Sequence, residues 1–167
     1  METFPAPSQA AIVPLGEAAS FRAALEKDWP GLRIVATNGC FDLLHVGHLR
    51  YLAEARRRGG FLWVGLNGDA SVTLLKGPGR PVNTEADRAE ILAALRVVDA
   101  VTVFPEVRAV GFLAAVRPHL YVKGGDYTAE QLDPQERAAL ESAGSRIEIL
   151  ALVPGKSTTS TLQRIKR

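Results

Sequence analysis

Short apolar runs of strand length alternate with stretches of helical periodicity along most of this 167-residue chain. Arg33 to Asn38, Phe61 to Asn67, Val98 to Phe104, His119 to Val122 and Arg146 to Val153 are each apolar or β-branched enough to predict strands. Between them, Ala18 to Lys27 predicts a helix. Gly47 to Arg58 predicts another, with Leu49, Leu52, Ala53 and Ala55 on its apolar face and a stop at Gly59-Gly60. A short helical turn is expected over Asp69 to Leu75, then a Gly- and Pro-marked polar loop from Lys76 to Val82 that could move over a ligand. Thr84 caps a helix through Leu95, and further helices are expected over Val107 to Val116 and Pro134 to Ser142. A last one opens at Ser157-Thr158-Thr159. Met1 to Pro14, with three prolines and no sustained period, reads as a tail or an extended strap. The alternation predicts an α/β fold, a mostly parallel five-stranded sheet with helices on both faces. Residues 1–30 are expected to form an N-terminal tail and helix, and 31–167 the main domain.

Composition narrows the class. A hydrophobic content of 47% over this length suits one domain with a core that requires neither disulfides nor a structural metal. Cys40, the single cysteine, excludes an internal disulfide and a cysteine-based zinc cluster, and fits a reducing, cytoplasmic setting. No basic, apolar leader opens the sequence, and no run approaches the roughly 20 apolar residues that span a bilayer, so no membrane association is expected. A formal charge of +2 does not predict a nucleic-acid surface, and Arg56-Arg57-Arg58 is expected on the solvated end of its helix.

In doubly wound sheets, ligands bind beyond the carboxyl ends of the strands, near the point where strand order reverses. The polar clusters Thr37 to Asp42, Asn67 to Asp69, Lys123 to Asp126 and Gly155 to Thr159 all follow predicted strands, so one crevice can collect them. His45-Val46-Gly47-His48 adds two of the three histidines at a strand-to-helix turn, where backbone N–H groups and the positive helix end favour an anion. Neither G-x-G-x-x-G after the first of these strands nor G-x-x-x-x-G-K-[ST] occurs, which disfavours dinucleotide dehydrogenases and P-loop phosphotransferases.

Thr37-Asn38-Gly39-Cys40-Phe41-Asp42 followed by His45-Val46-Gly47-His48 resembles the opening motif of the cytidylyltransferase-like nucleotidyltransferase superfamily, whose fold is Rossmann-like. Leu75-Lys76-Gly77, Arg80 to Asn83, Arg88, Val98-Asp99, Val122 to Tyr127 and Gly155-x-Ser157-Thr158-Thr159 are similar to its heptose 1-phosphate adenylyltransferases, the transferase half of a bifunctional kinase and adenylyltransferase. No kinase half is expected within this sequence. The resemblance implies transfer of AMP from ATP to D-glycero-β-D-manno-heptose 1-phosphate, with release of pyrophosphate. It implies ATP and a sugar 1-phosphate as partners, Mg²⁺ travelling with ATP, and a homodimer.

The residues suit that reaction. A phosphate monoester has a second pKa of about 6 and is already ionised at neutral pH, so no activated nucleophile is needed. The difficulty is electrostatic, and preorganised positive charge should supply most of the rate. His45 and His48 are assigned to the α-phosphate and leaving group, Gly47 to close approach of the helix, and Lys76 to the mobile cation; an ordinary pair of helix-end histidines is the alternative. Arg80 and Arg88 are assigned to phosphate or acceptor binding, a surface ion pair being the alternative for Arg88. Asp42 either fixes a sugar hydroxyl or holds its loop, while Thr37 and Asn38 present polar groups to the crevice and Gly39, Cys40 and Phe41 complete its nucleotide-binding turn. Gly124, Gly125 and Asp126 form either an adenosine pocket or a plain turn, Lys123 serves the nucleotide or the turn, and Ser157, Thr158 and Thr159 cap a helix and receive a triphosphate oxygen. Cys40 is read as a packed residue rather than a nucleophile. A zinc site on His45 and His48 lacks a third ligand in the pattern, so no metal cage is expected.

Other readings remain open at this level. They are a CTP-dependent transferase for glycerol phosphate or an amino-alcohol phosphate, and an adenylyltransferase for FMN or a pantetheine phosphate. A nucleotide-binding sensor is the reading from a different class. Related cytidylyltransferases carry an arginine in the segment before the final Ser-Thr-Thr, where this chain has Val153-Pro154-Gly155-Lys156, a departure that favours the heptose-like reading and leaves Lys156 as a substitute to be tested; class I aminoacyl-tRNA synthetases share H-x-G-H but need tRNA-binding appendages for which this chain has no room.

Overall fold

A computed structural model describes residues 9–125, 128 and 131–151. Its centre is a sheet in which every pairing is parallel, in the order β1-β4-β3-β2-β5-β6. The strands are β1 (Ala11–Ile12), β2 (Ile34–Gly39), β3 (Phe61–Asn67), β4 (Ala100–Phe104), β5 (Leu120–Gly124) and β6 (Arg146–Leu150). The helices are α1 (Ala18–Asp28), α2 (Val46–Arg56), α3 (Asp69–Lys76), α4 (Glu85–Ala93), α5 (Val110–Val116) and α6 (Pro134–Ser142). The predicted helix at Ser157 to Thr159 lies outside the described residues.

Parallel strands covered on both faces must be apolar on both, and β3 is the extreme case, with all seven residues buried. Leu62, Val64 and Leu66 point to a core shared with Leu52 and Ala55 of α2 and Leu92 of α4. Phe61 and Trp63 point the other way, to a core shared with Leu25 of α1, Phe112 and Leu113 of α5 and Leu140 of α6. The period-2 alternation of each strand thus divides the interior into two layers.

Among the described residues six strands, not five, make the sheet. The additional one, β1, comes from the segment read as a tail or strap. Ala11 and Ile12 pair in register with Ala100 and Val101, the Val13 N–H donates to the Val101 carbonyl at 2.8 Å, and Val13 is buried. Two residues carry too little periodicity to announce a strand. The exposed edge of β4 decides the matter, because its backbone groups need partners. The Arg56-Arg57-Arg58 cluster also departs from expectation. Arg56 turns inward, its Nε 2.8 Å from the buried carboxylate of Asp99, which also accepts from the Leu62 N–H at 2.7 Å. Burial pushes the Asp99 carboxyl above its usual range against these two donors. Arg57 and Arg58 do face outward, paired with Glu54 and, for Arg58, with Glu148 as well.

The strand order fixes where a ligand can bind. From β2 the chain proceeds through β3 to β4 on one side and later through β5 to β6 on the other, so the order reverses at the β2/β5 boundary. A crevice opens there beyond the carboxyl ends. No described helix is long and apolar enough to cross a membrane.

If β1 is integral, Val13→Asp, which buries a charge without a partner, should lower unfolding free energy by at least about 2 kcal/mol in urea denaturation. An unchanged midpoint would return this segment to the status of a tail.

Candidate active site

The carboxyl ends of β2 and β5 are joined by two tyrosines. Tyr51, one turn after His48 on α2, shares a 2.7 Å hydrogen bond with the Thr37 hydroxyl and donates to the Val122 carbonyl at 3.1 Å. Tyr121 on β5 donates to Asn38 Oδ1 at 2.5 Å, and Lys123 Nζ donates to the Tyr121 hydroxyl at 3.4 Å. The Lys123 ammonium also stands 4.0 Å from the buried carboxylate of Glu136, whose other oxygen accepts from the Ala109 N–H at 2.8 Å. Burial pushes both phenols well above their ordinary pKa, so they remain neutral donors. Thr37 is wholly buried, and its hydroxyl belongs to Tyr51 rather than to the crevice. That corrects its expected side-chain role. The Asn38 carbonyl oxygen is likewise occupied, so its NH₂ group is what it has left to offer.

Beyond Gly39 the chain turns sharply. Phe41 adopts the left-handed region at φ 43°, a conformation costing a bulky residue about 1 kcal/mol or more. The turn is held because the Phe41 ring is buried, lies edge-on to the His48 ring at 5.4 Å and covers Gly39, where an added Cβ would come within 3.0 Å of it. Only glycine leaves that ring its place.

His45 and His48 then start α2 as a reciprocal cap. His45 Nδ1 accepts from the Gly47 N–H at 3.1 Å, and His48 Nδ1 accepts from the His45 N–H at 3.3 Å. The rings stack with centroids 3.8 Å apart. A backbone N–H pointing at each Nδ1 forces the neutral ring's proton onto Nε2, so both imidazoles carry N–H donors on the edge away from the backbone. Burial, and then the neighbouring His45, push the His48 pKa down to about 4. The spacing H-x-G-H therefore satisfies the orphan N–H groups of the helix start and fixes two tautomers together.

The acceptor residues are placed less as expected. Asp42, buried, accepts from Arg80 Nε at 2.5 Å and from the backbone N–H groups of Val82 and Asn83 at 2.7 and 3.1 Å. Burial raises its pKa, but Arg80 and those two N–H groups outweigh this and hold it below the usual carboxylate range. Of the two readings of Asp42, the geometry favours the loop-holding one. Arg88 lies wholly within the protein and donates to the carbonyls of Asn83, Cys40 and Asn67 at 3.1, 2.6 and 2.8 Å and to Asp69 Oδ1 at 2.8 Å. With four donor contacts and no exposed side-chain surface, it is a brace under the crevice, neither an acceptor contact nor a surface ion pair. Period and spacing cannot show this, since nothing in the sequence says that two strand-end carbonyls and one loop carbonyl converge on one helix position.

Lys76 is the exposed last residue of α3, before Gly77 at φ 92°. Its charge acts on Cys40 together with Arg88 and Arg80, although burial is the larger influence and leaves the thiol pKa raised. An elevated pKa suits the packed, non-nucleophilic reading of Cys40. Gly124 and Gly125 follow β5, the Gly125 N–H donating to the Leu150 carbonyl at 3.1 Å, whereas Asp126, Ser157, Thr158 and Thr159 lie outside the described residues. Tyr51, Tyr121 and Glu136 were not singled out by sequence. Tyr51 alone carried a signal, at the third position after His48 on the same helix face.

The model of the cytidylyltransferase-like family matches residues 36–162, the stretch that builds this crevice. The chain belongs to that family. The family places it among the nucleotidyltransferases and agrees with the Rossmann-like α/β fold expected from sequence. Over 135 residues it is 51% identical to the bifunctional protein HldE of Syntrophotalea carbinolica, and over 136 residues 52% identical to that of Geotalea uraniireducens. Each match covers 81% of this chain and 27% of the relative, so the chain spans about a quarter of the length of these proteins. Among solved structures, a lipopolysaccharide core biosynthesis protein from Thermoplasma volcanium superposes with a TM-score of 0.59 at 27% identity, covering 74% of this chain and 98% of that one. A pantoate-beta-alanine ligase from Francisella tularensis (TM-score 0.54, 13% identity, 93% and 77% covered) shares the fold.

Two outcomes follow from this geometry. The His48 ring should titrate near pH 4 by NMR, and His45→Ala should raise that midpoint. Because the folded pKa lies below the unfolded value of about 6.5, the unfolded chain binds the proton first as pH falls. Stability from this group is full above about 6.5 and declines down to about 4; a midpoint near 6.5 in the folded protein would contradict the buried, capped arrangement. Arg88→Met should cost about 3 kcal/mol or more, because one buried and two part-buried carbonyls lose their donor, whereas a group contacting only the acceptor would raise KM and leave the melting temperature unchanged.

Proposed function

We propose that the chain catalyses transfer of AMP from ATP to D-glycero-β-D-manno-heptose 1-phosphate, giving ADP-heptose and pyrophosphate. The observation that carries this reading is the reciprocal histidine cap at the switch point, with each Nδ1 taken by a backbone N–H and each Nε2–H left as a donor. The HldE relatives at about half identity support the heptose acceptor.

In this reading an oxygen of the sugar 1-phosphate attacks the α-phosphorus, a new P–O bond forms, and the bond from the α-phosphorus to the bridging oxygen breaks. The electron pair leaves on pyrophosphate. No proton has to be removed from the nucleophile, so the chain needs donors rather than a base. His45 and His48 donate to the α-phosphate and the departing group, the start of α2 adds its positive end, and Lys76 closes from α3 over the developing charge. Gly47, Asn38, Gly39, Cys40 and Phe41 form the nucleotide-facing turn, with Gly124 and Gly125 across the switch point. Lys123, held by Tyr121 and Glu136, positions that second edge. Arg80 and Asp42 shape the acceptor side through their shared loop.

Among the described residues no group of three or more His, Cys, Asp or Glu side chains is arranged to hold a metal. Mg²⁺ would come with ATP, held by phosphate oxygens and water, and would neutralise triphosphate charge. A homodimer and a cytoplasmic location accompany the family reading.

The test is a purified-protein panel pairing ATP or CTP with heptose 1-phosphate, glycerol 3-phosphate, FMN or 4′-phosphopantetheine, with pyrophosphate release as readout. Turnover is expected with ATP and heptose 1-phosphate. Activity only with CTP and glycerol 3-phosphate would overturn the assignment. His48→Ala should lower kcat by roughly 10² to 10³, the value of one preorganised oxyanion donor; wild-type kcat with a raised KM would reduce His48 to a ground-state contact.

A further inference from the structure

At the opposite edge of the sheet lies a second concavity that the transfer reaction does not use. Arg33 immediately precedes β2, His119 immediately precedes β5 and Arg146 opens β6, so the amino ends of three neighbouring strands deliver them to one place. Arg22 and Glu26 of α1 and Arg117 at the end of α5 complete a cleft of about 840 Å³ whose floor is formed by alanines of α1 and α5. Six residues of parallel strand put it about 20 Å from the histidine cap.

The charge there is uncompensated. Four arginines face one carboxylate, and among the described residues Arg33, Arg117 and Arg146 make no ion pair. Arg22 pairs with Glu26 through Nη1 at 3.1 Å, yet its Nε–H, on a side chain only 12% exposed, has no acceptor among the described residues. A guanidinium whose donors are not all matched by the protein keeps hydrogen-bonding capacity beyond its pair with Glu26. His119 accepts the Ile34 N–H on Nδ1 at 3.0 Å, so its neutral ring carries the proton on Nε2, a further donor. Burial first, and then the charge of Arg22, push the His119 pKa down; Glu26 opposes this and Arg33 adds to it.

We propose that this cleft is a second ligand site, for an organic phosphate, at the sheet edge opposite the transfer crevice. Guanidinium forks match phosphate oxygens in pairs, the alanine floor suits an uncharged body attached to the phosphate, and the volume falls in the ~300–1,000 Å³ range of small-molecule sites. An acidic protein segment is the competing occupant, but such segments favour open basic surfaces over a cleft with an apolar floor. The site does not depend on which acceptor the enzyme uses.

The experiment is an NMR titration of the full chain at constant ionic strength with inorganic phosphate and glucose 6-phosphate, with glucose as the uncharged control, following the His119 ring and the arginine Nε–H resonances. Saturable shifts are expected with both phosphates, tighter for glucose 6-phosphate, and none with glucose. Arg33→Glu with Arg146→Glu should weaken binding at least tenfold while pyrophosphate release at the other edge keeps its wild-type rate. Should the charge-reversed pair not fold, the Arg33→Gln and Arg146→Gln pair gives the same comparison with a smaller loss. Shifts that rise linearly without saturating, shifts unchanged in the variant, or saturation by an acidic peptide but by neither phosphate would each overturn the proposal.

Discussion

One buried guanidinium holds the floor of the crevice. Arg88 reaches from α4 to the carbonyl of Cys40 just past β2, that of Asn67 at the end of β3 and that of Asn83 ahead of its own helix, and to the Asp69 carboxylate at the start of α3. Strand-end carbonyls at this edge have no ladder partner, and water cannot reach those that are covered. A planar group with five donors in a fixed fork makes all four contacts at once, one more than the three N–H of a lysine allow. The turn containing Phe41, the histidine cap and the Lys76 helix all start from backbone that Arg88 has fixed, so the site inherits its geometry from a residue that need not touch a ligand.

A similar logic runs through the rest of the crevice. Thr37, Asn38, Asp42, Tyr51, Tyr121 and Glu136 are polar groups engaged with one another or with backbone, and they determine the spacing of β2, β5 and the Arg80 to Asn83 loop. Buried networks engaged in this way are stiff, because alternative arrangements leave polar groups without a partner. Among the described residues, the proposed function draws on fewer groups to meet phosphate: the Nε2–H edges of two histidines, the Asn38 NH₂, the exposed Lys76 and the backbone of the Gly39 and Gly124 turns. Such a division suits a reaction whose demand is preorganised positive charge rather than acid–base exchange.

Much of the fold was legible because two periods carry it. Alternating apolar runs and 3.6-residue patterns located β2 through β6 and all six described α-helices, and α6 matched its expected limits, Pro134 to Ser142. The strand β1 was not legible, because two residues have no period and their pairing answers a need of β4. Within the site, motif residues could be read wherever the chain itself brings them together, as in His45 to His48. Side chains whose partners come from distant elements could be named but not given their task. Asp42 and Arg80 meet across 38 positions, and Arg88 and Cys40 across 48.

By itself, the sequence determined the α/β class, the crevice at the strand ends and a pair of histidines at a helix start, because each depends on residues near one another in the chain. The tertiary structure alone decided which polar residues brace the crevice and which remain to act in it. The physical reason is that a side chain's chemistry depends on burial and on partners. Packing made Thr37 and Arg88 internal supports, turned Nδ1 of both imidazoles to backbone N–H groups, and gathered Arg22, Arg33, Arg117 and Arg146 at the far edge of the sheet, where no local pattern joins them.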